Sequence, residues 1–165
     1  MIALNPTQIT TLQNLSDQGK YPEAYRYMRD IVRNLQPSAN TSESKSEYES
    51  LQNWLDTAAK INSNDGSFSS EVVRGSTIGF AEGQGVKITD ERFQAASDTL
   101  ARDVIKTVLD GGGIPRSDQI IAKDVAVAVK ELGIPAWGWA GTLGDILPTW
   151  ALGLGKDYQT LPKDT

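Results

Sequence analysis

The sequence predicts an all-α fold, an orthogonal or irregular bundle of about six helices that begins with a helical hairpin and ends in a Trp/Gly-rich segment. Three observations carry this. Apolar residues recur every three or four positions along most of the chain. Residues that start helices precede these stretches, and Gly or Pro follow them. No stretch alternates apolar and polar residues for long enough to argue a sheet, and Val86-Lys87-Ile88 is at most a short extended piece.

The first helix is expected near 6–18. Asn5 supplies the N-cap, Pro6 the first helical position and Gln8 the returning side chain of a capping box, while Gly19 suits a left-handed stop. A second helix, 22–35, begins on Pro22 and lines up Ala24, Met28, Ile31, Val32 and Leu35 before Pro37. Residues 38–46 are small and polar without periodicity, which reads as a flexible connection. Tyr48, Leu51, Leu55, Ala58 and Ile61 then define a third helix over about 45–61, closed by Asn62-Ser63-Asn64-Asp65-Gly66.

From Phe68 the pattern is weaker, because Gly75, Gly79 and Gly83 each cost a helix nearly ~1 kcal/mol against Ala. Their four-residue spacing would lay a smooth strip along a fourth helix, and the expected use is close packing inside the bundle. Thr89 and two acids open a fifth helix, about 90–110, with Phe93, Ala96, Leu100, Val104, Ile105 and Val108 at strict helical spacing. A sixth, 117–132, starts at Ser117-Asp118 and carries Ile121, Val125, Ala128 and Leu132. Both end in Gly-Ile-Pro, at 113–115 and 133–135, where a left-handed Gly is expected.

The stretch Gly19-Lys20-Tyr21-Pro22-Glu23-Ala24, with Met28 and Pro37, resembles the turn and second helix of a tetratricopeptide repeat. The first helix lacks that repeat's aromatic and small-residue pattern, and nothing follows at its period, so the resemblance implies a helical hairpin and no array.

A chain of 165 residues can bury one sizeable core. The expected organisation is a single helical domain over 1–155, comprising hairpin 5–37, connection 38–46 and main bundle 47–155, with 156–165 as a tail. The absence of Cys and His removes thiolate chemistry, the commonest general base and the commonest metal ligands. A net charge of −5 without basic runs leaves no footprint for nucleic acid. Residues 1–20 show no secretory pattern, so localisation stays open between the cytoplasm and export without a cleaved signal.

No cofactor, metal or catalytic set is expected. Asn62 to Gly66 fails the register of a calcium loop, Gly111-Gly112-Gly113 lacks the Lys of a phosphate loop, and Glu82, Glu131 and Asp145 do not form a recognisable acid pair. Trp137, Trp139, Leu143 and Trp150 form the candidate interaction surface, since Trp is enriched in binding sites; ordinary core packing is the competing reading. The expected function is a non-enzymatic helical module binding another protein, as an accessory or targeting domain of a larger, exported bacterial polypeptide. The alternatives are a membrane-active or toxin-like protein using 134–155 and a hydrolase using carboxylates alone.

Overall fold

The computed structural model describes residues 1–134 and Trp139. Six α-helices build it: α1 (Pro6–Asp17), α2 (Tyr21–Leu35), α3 (Ser42–Asn62), α4 (Phe68–Gly83), α5 (Asp90–Gly111) and α6 (Ser117–Leu132). A short 3₁₀ turn, Gln36–Ser38, follows α2. The all-α bundle expected from periodicity is therefore present, and α1 and α2 pack as a hairpin.

The first helix forms as its sequence dictates. Asn5 Oδ1 accepts from the Gln8 amide at 2.8 Å, and Gln8 Oε1 accepts from the Asn5 amide at 2.9 Å. These two bonds satisfy donors that a helix start otherwise leaves orphaned. Gly19 turns the chain at φ +70°, the region that favours glycine.

Two boundaries differ from expectation. Helix α3 starts at Ser42, inside the stretch read as a connection, because Thr41 Oγ1 accepts from the Ser44 amide at 3.0 Å and Ser44 Oγ accepts in return at 3.3 Å. A serine fills the place where Glu or Gln usually completes that box, so the signal was disguised by composition. The left-handed residue closing α5 is Gly112 (φ +71°), not Gly113. Gly113 instead joins Ile114 as strand β2, paired antiparallel with β1 (Ile2–Ala3). A Cβ on Gly113 would lie 2.4 Å from the Ile2 carbonyl oxygen, so this position needs glycine for close approach.

The core runs through the whole bundle. Helix α5 is central, touching α1, α2, α3 and α6, and α2 lies along α3. Tyr25 and Trp54 meet edge to face, with ring centroids 6.1 Å apart, alongside buried Met28, Leu55 and Ile105. Helix α4 leans on α3, and its buried Arg74 donates to the Ile61 carbonyl at 2.8 Å and to Gln94 Oε1 at 2.9 Å. Ser70 takes the Lys60 carbonyl and Gln94 the Asn62 carbonyl, so three carbonyls left free at the end of α3 are met by side chains of α4 and α5.

The glycine strip of α4 does not pack inside the bundle. Gly75, Gly79 and Gly83 are exposed, and a Cβ at any of them would meet nothing within 4 Å. Arg74 and Thr77 occupy the buried face in their place.

Candidate functional site

The apolar stripe of α6 is Ile121, Val125, Ala128 and Leu132, all buried. Asp124 stands in the middle of that stripe, one helical turn from both Ile121 and Ala128, and is only 3 % exposed. Its Oδ2 accepts a hydrogen bond from the Trp139 indole Nε1–H at 3.0 Å. Trp139 is itself 1 % exposed. Tyr25 from α2, Asn62 from α3 and Ser97 from α5 join the pair around a cavity of about 10 Å³. That is room for roughly one water and for no substrate.

No cation compensates this carboxylate among the described residues. Lys123, its neighbour in α6, donates to Thr107 Oγ1 at 2.6 Å and lies 3.7 Å from Asp103 Oδ2. Burial, reinforced by Asp103, pushes the Asp124 carboxyl up to about 6, against the opposing pull of the Trp139 bond and the nearby Trp54 indole. The Trp54 N–H is close enough to favour the anion, yet it is buried without a hydrogen bond of normal geometry. The Tyr25 hydroxyl is raised as well, by burial first and then by the surrounding Asp124, Asp103 and Asp98 charges.

Trp139 is a core residue whose one polar atom is engaged by Asp124. Trp137, Leu143, Trp150 and Asp145 lie outside the described residues. Glu82 is exposed and Glu131 half-buried. Asn62 to Gly66 forms a capping turn in which Asp65 Oδ1 accepts from the Ser67 amide at 2.9 Å, and among the described residues no acidic cluster is arranged to hold a metal ion. Asp124 went unnoticed in the sequence, although a charged residue at the helical register of Ile121 and Ala128 was the available signal.

Two surface features remain. A groove of about 330 Å³ between the start of α3 and the β1–β2 ladder is floored by Leu51 and Ile114, but both oxygens of its Glu47 are already held by Ser117. On α4, Phe68 is 84 % and Val72 49 % exposed. They share a face with Gly75 and Gly79 by helical spacing, and Glu71 and Glu82 border it. No protein-family model matches the chain, and neither the curated proteins nor the solved structures yield a match.

Proposed function

We propose that the chain is a non-enzymatic protein-interaction module whose docking face is helix α4. The observation that carries this reading is the pairing of exposed Phe68 and Val72 with open glycines on one helical face. Burying Phe68 in a contact is worth about 1.5–3 kcal/mol in apolar transfer, and Val72, already half-buried, about half as much. The glycines let a partner backbone approach closely. Bordering Glu71 and Glu82 favour an amphipathic partner helix with an apolar stripe and basic flanks.

The alternative of carboxylate-only hydrolysis gains no support, because the one strongly perturbed carboxylate among the described residues sits against a cavity too small for substrate. No helix among the described residues is long and apolar enough to cross a membrane. Within the proposal, the module serves as an accessory or targeting domain of a larger polypeptide.

Affinity capture from the native cells, with partners identified by mass spectrometry, tests this. Wild type should retain a specific protein that the Phe68→Ser/Val72→Ser variant, folded by circular dichroism, loses. Identical capture by both would remove α4 from the role.

A further inference from the structure

The polar centre on α6 takes no part in the α4 face, and its hydrogen bonding is incomplete. Asp124 brings two carboxylate oxygens into the bundle, and only Oδ2 has a partner of normal geometry, the Trp139 indole at 3.0 Å. Two hydroxyl-bearing residues line the same cavity. Ser97 on α5 is 4 % exposed and Tyr25 on α2 is 2 % exposed, and neither side chain makes a hydrogen bond among the described residues. Buried polar groups in a folded chain are almost always hydrogen-bonded, so three of them around one cavity call for a common partner.

Neighbouring side chains do not supply it. Asn62, the other polar residue of the lining, gives its amide to Asp98 Oδ1 at 2.9 Å. Lys123 is turned to Thr107 and Asp103. What the three groups border is a space of about 10 Å³, the size of a single water. The chemistry agrees with the size. A carboxylate only accepts, a hydroxyl can donate, and a water does both.

We propose that Asp124 Oδ1, Ser97 Oγ and the Tyr25 hydroxyl bind one internal water, which donates to the carboxylate and accepts from the two hydroxyls. It ties α2, α5 and α6 together and gives the buried carboxylate a second partner without a cation. Internal waters typically make about three such bonds and are costly to remove. A dehydrated sodium ion is of similar size, but coordinating it through both hydroxyl oxygens would leave their protons without an acceptor.

Oxygen-17 magnetic relaxation dispersion on the whole chain, which counts waters held far longer than surface ones, tests the site. Wild type should hold about one more such water than Ser97→Val, which removes the hydroxyl and fills the space with methyl groups. Equal counts overturn the site. Should that variant fail to fold, a high-resolution crystal structure of wild type decides. An ordered solvent peak within hydrogen-bonding distance of Asp124 and of either hydroxyl supports the water, and no peak there overturns it. Melting temperatures in sodium chloride and in N-methylglucamine chloride at equal ionic strength should coincide. Stabilisation by sodium that Asp124→Asn abolishes would assign the space to a cation and overturn the water.

Discussion

Glu47, on the first turns of α3, holds the start of α6 seventy residues away. Its two oxygens accept from the Ser117 amide at 2.5 Å and from the Ser117 hydroxyl at 2.6 Å. Arg116 stands at the cap position without a side-chain capping bond, so the helix borrows its cap from another element. Ser117 is buried, which makes the loss of this partner costly. Glu47→Ala should destabilise the fold by about 1–3 kcal/mol, because a buried donor is left unpaired. Glu47→Gln, which keeps one acceptor, should cost less. Urea denaturation of the three proteins checks the order.

The buried Asp124 carboxyl should add stability as the solution turns mildly acidic. For a carboxyl whose folded pKa is raised, the folded state binds more protons than the unfolded chain between the two values. Stability therefore rises as pH falls from about 6 towards the ordinary value of 3.8. The full gain from Asp124 is about 3 kcal/mol at the shift given above. Asp124→Asn keeps an acceptor for the Trp139 indole and should flatten this dependence, leaving the variant more stable than wild type near neutral pH. Urea midpoints across the range measure both effects.

Glycine-to-alanine substitutions should divide by location. Gly75→Ala and Gly79→Ala fall in an open helical interior and should each stabilise by about 0.5–1 kcal/mol. Gly133→Ala forces a side chain into φ +70° and should destabilise by about 1–2 kcal/mol. Gly113→Ala should destabilise too, by breaking the approach to Ile2. Thermal melts of the set give the signs.

Phe68→Ser should leave folding within about 0.5 kcal/mol of wild type, since that side chain is 84 % exposed, and Val72→Ser, at a side chain only half in water, should cost about 1 kcal/mol at most. If α4 docks a partner, the same changes should abolish capture. Parallel melts and binding assays separate the two effects.

What was legible in the sequence was local. Asn5 with Gln8, Gly19, Thr89 and Gly133 mark helix ends by chemistry acting over a few residues, and each does so in the fold. Contacts between distant segments were invisible: Glu47 to Ser117, Arg74 to the end of α3, and Ile2 to Gly113 leave no periodic trace. The α4 strip misled because glycine has no side chain to report which face is buried, and the burial is instead carried by Arg74 and Thr77. Asp124 was hidden differently, as one charge within an otherwise apolar stripe that reads as a helix either way.

Site-specific photocrosslinking in the native cells tests the docking face most directly. A photoreactive phenylalanine placed at position 68 should yield a covalent adduct with a discrete protein, and the adduct should vanish when Val72→Ser is added. The same group at exposed Lys130, on α6, serves as the control. Strong adducts from 68 and none from 130 are the predicted result. Adducts from 130 alone, or equal yields at both positions, would contradict the assignment of α4 as the interaction surface.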